Sequence, residues 1–303
     1  MSEKRSCDIL QPVPLEQWSI LQEKTKLKWP FYGYIYYWVQ NAIRWRKQNP
    51  DFPIQLYSPS GDSSSNTFIG ISRFCVDIII LFTLEAECET LKDVLRQTKY
   101  INWYQGTYFA GVHESFLPSL LSLIDSMKDK MNIDYHPLTP GNYYFKSAEE
   151  SAKVEFDVPN QCYMKMLDKS HIPTIHEVWP HKDPERPDLS IKYLNTMVEL
   201  NGGVGLFLKE DDTLVAWGLH TDWDGMGMVQ TKDGHKRNGY AKVVINALAK
   251  KLGKEGTSTT LFIVDGNKAS ENLFEGLGFK KTSWISWVVM KRQNEGATSN
   301  EQK

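Results

Sequence analysis

A polar turn with a glycine at its end is the part of this sequence best suited to hold an anion. It covers residues 232–239, between an apolar segment at 226–231 and an amphipathic helix predicted for 240–252. The first N–H groups of a helix have no acceptor within the helix and lie at the positive end of its dipole. Gly239 has no Cβ to block a phosphate. The turn is therefore a predicted phosphate-binding loop.

Acid–base side chains lie just before the apolar segment 226–231, at His220, Asp222 and Asp224. A neutral imidazole near pH 7 is suited to accept a proton, directly or through a water molecule. Each residue also has an ordinary structural explanation, because aspartates favour hairpin turns and many histidines are buried and hydrogen bonded. The sequence leaves both explanations open for these residues.

The loop lacks the glycine patterns of the two commonest phosphate-binding motifs. It has neither GxGxxG nor a Gly-Lys-Ser/Thr ending. It does contain Lys236-x-x-Gly239-x-Ala241, followed by a predicted strand at 260–264. A second polar-to-apolar segment then begins at Asn267 and ends in Leu-Gly-Phe at 277–279.

These two motifs, in this order, resemble those of the GCN5-related N-acetyltransferase (GNAT) superfamily. Its pyrophosphate loop reads Gln/Arg-x-x-Gly-x-Gly/Ala, and its later helix begins with Asn and ends in Leu-Gly-Phe. Lys236 departs from Gln/Arg but keeps a donor. Residues 167–179 look like the glycine N-acyltransferase-like branch. The resemblance covers about 160–292 and extends only loosely to the first half.

The resemblance implies an acyl-CoA-dependent N-acyltransferase that moves an acetyl or other acyl group from coenzyme A to a small-molecule amine. Acetyl-CoA or another acyl-CoA would be a co-substrate, and no metal is implied. Two alternatives stay open. One is a protein or polyamine N-acetyltransferase; the other is a non-enzymatic descendant that binds acyl-CoA or a partner protein.

The resemblance also implies roles for individual residues. The pantetheine arm would pair with the backbone of Met228, Val229 and Gln230, and Asn267 would reach the pantetheine or the freed thiol. The pyrophosphate would be held by Lys236, Arg237, Asn238, Gly239, Tyr240 and Ala241. His220 and Asp224 are the predicted base, and Ser270 is a predicted donor to the thiol. Phe274 stands where the family often has Tyr, and the strand at 227–231 contains no carboxylate.

The predicted fold is α+β, the GNAT acyl-CoA N-acyltransferase fold, with a mixed twisted sheet flanked by helices. Residues 1–150 are predicted to form a degenerate GNAT-like repeat or an unrelated cap, 158–292 the catalytic domain, and 293–303 a disordered tail. The boundary is placed in the turn-rich segment 137–157. The predicted helices are 15–27, 32–47, 90–98, 113–131, 172–179, 188–201, 240–252 and one from 267. The predicted strands are 54–58, 67–71, 76–84, 101–108, 162–167, 205–209, 214–219, 226–231, 260–264 and 282–290.

Composition excludes several other classes. The net charge is −2, with 24% charged residues, which gives no electrostatic footprint for nucleic acid. No apolar run is long enough to cross a bilayer. Cys7, Cys75, Cys88 and Cys162 lack metal-ligand spacing and are predicted to be free thiols. His171, His176 and His181 are five residues apart, which does not suit a helical metal site. A cytoplasmic location is expected, and a mitochondrial one stays open although no clear transit peptide is present.

Overall fold

Most helices and strands occur where the sequence predicts them. The computed structural model describes residues 8–103 and 106–293, so Cys7 and the predicted tail beyond residue 293 lie outside the described residues. The strands are β1 (Gln11–Pro12), β2 (Ile54–Ser58), β3 (Thr67–Ser72), β4 (Ile78–Thr83), β5 (Tyr108–His113), β6 (Ile133–Tyr135), β7 (Thr139–Lys146), β8 (Cys162–Met166), β9 (Gly203–Leu208), β10 (Leu214–His220), β11 (Met226–Thr231), β12 (Thr259–Val264) and β13 (Lys280–Arg292).

Most helices lie where the helical periodicity predicts them, and short 3-10 turns flank the first of them. They are α1 (Trp18–Lys24), α2 (Gly33–Gln48), α3 (Glu89–Gln97), α4 (Leu117–Met131), α5 (Ala148–Ala152), α6 (Ile172–Val178), α7 (Pro187–Leu200), α8 (Tyr240–Lys254) and α9 (Lys268–Gly276). No helix in the described part of the chain is both long and apolar enough to span a membrane.

The middle of the chain departs from the prediction. The strand predicted for 101–108 begins only at Tyr108, and the helix predicted for 113–131 begins at Leu117. His113 is the last residue of β5 and lies opposite Ile285 of β13. Pairing with a distant strand, which no local pattern reports, therefore fixes both boundaries.

The segment 137–157, predicted to be a turn-rich boundary, contains β7 and α5. Its prolines and glycine suggested turns, but Pro140 lies at the start of the strand, where a missing N–H disrupts pairing least. Tyr143 and Tyr144 follow and are fully buried. This aromatic pair was the available signal for a strand.

The chain forms two compact units, and each unit consists of stretches that are not contiguous in sequence. One contains the described residues up to Leu27, Arg46–Gly141 and the residues from Trp284 onward; the other contains Lys28–Trp45 and Asn142–Ser283. The boundary between the units that follows Gly141 lies within the predicted boundary segment. That Lys28–Trp45 belongs to the second unit has no counterpart in the prediction. The roles assigned to 1–150 and 158–292 stay predictions.

In the first unit, antiparallel strands β1 to β4 are followed by α3, and β5 then lies parallel to β4. Ile78 lies beside Tyr108, and Ile79 beside Phe109. The last part of β13 pairs with β5 and with β6. Strands β3 and β4 are buried along almost their whole length, as expected of strands covered on both faces.

In the second unit, β8 to β11 form an antiparallel sheet, and β12 lies next to β7. Helix α8 packs on this sheet through a fully buried apolar face that includes Val244, Leu248 and Leu252. The spacing of these residues is the helical spacing seen in the sequence. This core holds β11 and the first turn of α8 in place.

Strands β11 and β12 meet at one end, where Gly225 lies against Thr260. A Cβ on Gly225 would clash with the carbonyl group and the hydroxyl of Thr260. Only glycine allows the two backbones to approach this closely. We call this contact the apex.

The apex predicts the effect of Gly225→Ala. The added methyl group meets backbone that cannot move aside, so we expect a loss of about 1–3 kcal/mol in the free energy of unfolding. Gly276→Ala is the matched control, because a Cβ there has open space and the residue is helical. The control should be neutral or more stable by up to about 1 kcal/mol. Urea unfolding measures the free energy of unfolding of both variants. Equal effects would contradict the close contact between Gly225 and Thr260 at the apex.

Candidate functional site

A cleft opens between β11 and β12 beyond the apex. In the described part of the chain, β11 and β12 do not pair with each other, because β11 is the edge of one sheet and β12 is the edge of another. The cleft has a volume of about 220 Å³. It is lined by Trp179, Pro180, His181, Met226, Gly227, Met228, Val229, Gln230, Leu261, Phe262, Ile263, Val264, Asn267, Ser270 and Phe274.

A β-bulge in β11 lies on one wall of the cleft. Trp217 pairs with Gln230 and Leu219 with Gly227, so two residues of β11 oppose the single residue Gly218 of β10. One of the two, Met228, has a φ of 51°, a conformation that costs energy for a side chain with a Cβ. A bulge leaves backbone groups outside the ladder and bends the strand. The polar groups of Met228 and Val229 are therefore available to an extended ligand.

The loop at the other end of β11 presents backbone donors. In the described part of the chain, the N–H groups of residues 237–241 donate no hydrogen bond. Gly239 has a φ of 77° and caps α8, and a Cβ there would face open space. Glycine is therefore required here because of the left-handed backbone conformation, and not because a Cβ would clash with neighbouring atoms. Unpaired N–H groups at a helix start are a suitable site for a diphosphate.

The positive charge of Lys236 in this loop is already paired with a carboxylate. Its Nζ lies 2.6 Å from Oδ1 of Asp233, and both side chains are exposed. An exposed pair of this kind is weak, so a stronger anion can take the lysine from Asp233. The prediction that Lys236 contacts a phosphate requires this exchange.

Asn267 and Ser270 both line the cleft and are hydrogen bonded to each other. The Asn267 Oδ1 accepts the backbone N–H of Ser270 at 3.2 Å, which makes Asn267 the N-cap of α9. Its side-chain amide nitrogen keeps its donors for a ligand. Phe274, buried in the same helix, puts a hydrocarbon ring where the family often has a phenol.

His220 and Asp224 form a buried pair. The His220 Nε2 lies 2.7 Å from the Asp224 Oδ1, and the two residues are 3% and 0% exposed. Arg44 of α2 forms an ion pair with the same oxygen at 2.8 Å, and Gln40 donates to Oδ2 at 2.7 Å. Neither His220 nor Asp224 is among the residues that line the cleft.

Burial disfavours the carboxylate of Asp224, but its partners reverse the effect. Desolvation alone would raise its pKa; the hydrogen bond and charge of His220, together with Arg44 and Gln40, hold the pKa below its ordinary value. Asp224 is therefore ionised at neutral pH. An aspartate paired with histidine can orient the imidazole, and the other nitrogen, Nδ1, is buried without a partner among the described residues.

Asn201, at the end of α7, connects this pair to neighbouring elements. Its Oδ1 accepts from Arg44 and from Trp45, each at 2.8 Å, and its Nδ2 donates to the carbonyl of Thr221 at 2.7 Å. The network fixes α2 and α7 to the β10–β11 turn that leads into the apex. Its members lie up to 184 residues apart, so sequence spacing gave no signal for it.

Asp222, in the same turn, has a different environment. Its Oδ1 accepts from the Tyr193 hydroxyl at 2.7 Å, and the Tyr193 ring stacks on Trp179 of the cleft wall. Burial raises the pKa of Asp222 to about 6, because desolvation outweighs the Tyr193 hydrogen bond. Asp222 is one of two acids in one turn whose pKa values shift in opposite directions.

Comparisons with known proteins agree with this fold. Residues 203–288 match the family described as FR47-like protein, and residues 9–123 match a domain of unknown function, DUF5645. A Drosophila melanogaster protein of known structure is 22% identical, with 95% of this chain and 100% of that chain covered and a TM-score of 0.85. No curated protein sequence matches this chain.

Two further structures carry family names. A GCN5-related N-acetyltransferase from Sphaerobacter thermophilus is 11% identical, covers 95% of this chain and 96% of its own, and has a TM-score of 0.53. A tandem GNAT protein from the clavulanic acid biosynthesis pathway is 9% identical, covers 92% and 97%, and has a TM-score of 0.53. The fold is that of the GCN5-related N-acetyltransferases. The FR47-like match supports the same superfamily, and the glycine N-acyltransferase-like branch stays a prediction.

The GNAT fold brings part of the predicted site together. Met228, Val229, Gln230, Asn267 and Ser270 line one cleft. Lys236, Arg237, Asn238, Gly239, Tyr240 and Ala241 form the loop and first helical turn after β11. His220 and Asp224 are brought to each other but lie outside the cleft lining. The roles of all these residues stay predictions.

Several cleft residues were missed. Trp179, Pro180 and His181 follow α6 and form a wall, and the Gln230 Nε2 donates to the carbonyl of Val178 at 3.3 Å. This contact joins segments about fifty residues apart, so no local pattern could reveal it. For Phe262 the sequence did contain a signal. Strand alternation places its side chain on the other face of β12 from Leu261 and Ile263, which belong to the α8 core.

The buried ion pair predicts a large effect of Arg44→Met. Loss of the guanidinium leaves the carboxylate of Asp224 buried and less well paired, so we expect about 3 kcal/mol less stability. Arg186→Met, which breaks an exposed pair with Asp183, is the control and should cost under about 1 kcal/mol. Guanidinium unfolding at pH 7 compares the two. Equal small losses would contradict a structural role for the Arg44 pair.

The raised pKa of Asp222 predicts a pH-dependent effect of Asp222→Asn. Between the ordinary value of 3.8 and about 6, the folded state holds a proton that the unfolded state has lost, so wild-type stability falls as pH rises. The variant lacks this loss. Its stability relative to wild type should increase by about 2.4 kcal/mol between pH 4 and pH 7.5.

Unfolding of both proteins across this pH range measures the effect, with exposed Asp157→Asn as the control. A difference between wild type and Asp222→Asn that is the same at every pH would show that Asp222 is not protonated in the folded state near pH 5.

Proposed function

We propose that this protein is an acyl-CoA-dependent N-acyltransferase with a small-molecule amine acceptor, of the glycine N-acyltransferase-like kind. The observation that carries the proposal is the cleft between β11 and β12, closed at the apex, together with the loop of unpaired N–H groups that follows the other end of β11. An elongated ligand with a diphosphate at one end fits this arrangement.

The residues fit coenzyme A along the whole cleft. The N–H groups of 237–241 would hold the pyrophosphate, and the amides of the pantetheine arm would pair with the free backbone at Met228 and Val229. Asn267 would donate its side-chain N–H to the pantetheine. The apolar side chains of Met226, Leu261 and Phe274 would exclude water from the thioester.

The reaction requires few protein groups. The amine nitrogen attacks the thioester carbonyl, an amide bond forms, the C–S bond breaks and the amine gives up a proton. A thiol has a pKa of about 8.5, so the thiolate leaves without a strong acid, and Ser270 can donate a hydrogen bond to it. Loss of the family's tyrosine at Phe274 is therefore compatible with turnover.

Two histidines are candidates for the base. His220, oriented by Asp224, would act through water because it lies outside the cleft lining. His181 lines the cleft directly, and it is the one titratable side chain among the described lining residues. An imidazole suits proton transfer near neutral pH in either position.

The cleft lining favours a small acceptor over a polyamine. Within the described residues, no Asp or Glu lines the cleft, so a polycation finds no carboxylate partners there. A small amine with one charged group needs fewer such partners.

Gly239→Arg tests the coenzyme site. A side chain at this left-handed position distorts the loop and projects where the phosphate approaches, so affinity for free coenzyme A should fall by tenfold or more, about 1.4 kcal/mol. Gly234→Arg is a closely matched control, because Gly234 lies in the same loop with a φ of 84° and open space. Calorimetry with free coenzyme A measures both variants. Equal losses, or none in either, would refute the site.

Burial of His220 and Asp224 away from the cleft favours a second candidate, a protein that binds acyl-CoA without turnover. Thiol release from acetyl-CoA in the presence of a panel of amino acids separates the two. Release that falls in His181→Ala or His220→Ala supports the enzyme and identifies the base. Micromolar binding with no release from any acceptor supports the binding protein.

A further inference from the structure

Phe262 stands at the closed end of the cleft. Gly225 lies against Thr260 at the apex, and Phe262 follows Thr260 by two residues, which is about 7 Å along a strand. The unpaired N–H groups of residues 237–241 lie at the opposite end, after the last residue of β11. A ligand with its diphosphate on this loop therefore points its other end toward Phe262.

The Phe262 ring cannot move out of the way easily. Its centroid lies 5.2 Å from that of Trp223, 5.5 Å from Tyr34 and 5.8 Å from Tyr143. Tyr34 and Tyr143 are 0% exposed and lie 5.1 Å from each other. Tightly packed aromatic rings leave no neighbouring space into which Phe262 could rotate. The closed end of the cleft is thus a rigid wall.

The space in front of this wall is small. The cleft volume of about 220 Å³ is below the range of about 300–1,000 Å³ typical of pockets for drug-sized ligands. Trp179 and Pro180 line the same space. A pantetheine arm with a short acyl group is a reasonable occupant, whereas a phenyl ring or a long alkyl chain would have to displace packed side chains.

We propose that Phe262 sets the size of the acyl group, so that the protein accepts acetyl-CoA or propionyl-CoA and rejects benzoyl-CoA and longer acyl-CoA. This inference rests on the proposed function, because it needs coenzyme A to lie in the cleft. It adds a substrate class and a specificity-determining residue.

Calorimetry with free coenzyme A, acetyl-CoA, hexanoyl-CoA and benzoyl-CoA tests the proposal without knowledge of the acceptor. Wild type should bind acetyl-CoA about tenfold or more tightly than benzoyl-CoA, the discrimination that a small apolar pocket provides. Phe262→Ala should abolish or reverse this ratio, with free coenzyme A still bound. Phe262→Leu should shift the ratio in the same direction by a smaller factor, and serves if Phe262→Ala does not fold.

Phe145→Ala is the matched control. Phe145 is a partly buried ring of β7 that packs on Trp29 at 5.5 Å and does not line the cleft, so the wild-type ratio should persist. Benzoyl-CoA bound by wild type as tightly as acetyl-CoA would overturn the proposal. So would an unchanged ratio in Phe262→Ala and Phe262→Leu, with free coenzyme A still bound. If wild type binds no coenzyme A, the proposed function itself fails.

Discussion

The divergence of β11 from β12 is the constraint on which the rest of the second unit depends. Backbone contact at Gly225 and Thr260 holds the strands together at one end, and the bulge at Met228 interrupts the β10–β11 ladder, which resumes at Gln230. The polar groups so released would be costly if buried without partners. Because they border an open cleft, they can bind water or a ligand. A single glycine and a single extra residue thus help to shape an open cleft between the edges of two sheets.

The first unit shows what happens without this divergence. Its strands β2, β3 and β4 form an antiparallel meander, α3 follows, and β5 is parallel to β4, the same order as β9 to β12 with α8. There, however, β4 and β5 are hydrogen bonded at Ile78–Tyr108 and Ile79–Phe109. A paired ladder leaves no room for a ligand between the strands. The shared order agrees with an internal duplication, which stays a prediction, and the pairing gives a physical reason to expect no coenzyme site in that unit.

The two aspartates of the β10–β11 turn illustrate how position decides chemistry. Asp224 is ionised because His220, Arg44 and Gln40 offset its desolvation, whereas the hydrogen bonds of Asp222 to the Tyr193 hydroxyl and to its own backbone do not, and its pKa rises to about 6. Asp224, through these partners, therefore helps to fix the position of the β10–β11 turn, which leads into the apex. Asp222 is a buried acid, connected through Tyr193 to the Trp179 wall of the cleft.

The sequence by itself determined most of the elements and the loop that follows β11. The alternation of β12, the helical spacing of α8 and the capping Asn267 are local features, set by backbone periodicity and short-range hydrogen bonds. The Lys236-to-Ala241 motif is likewise contiguous, so its position at a helix start followed directly.

Only the tertiary structure decided which distant side chains meet. Arg44 and Gln40 reach Asp224 across about 180 residues, Trp179 and His181 close a cleft formed by β11 and β12, and Phe262 joins a cluster with Tyr34 and Tyr143. Each contact depends on packing between elements whose separation along the chain is arbitrary. Local spacing carries no information about such contacts, and they form the buried His220–Asp224 network, the wall of the cleft and the space in front of it.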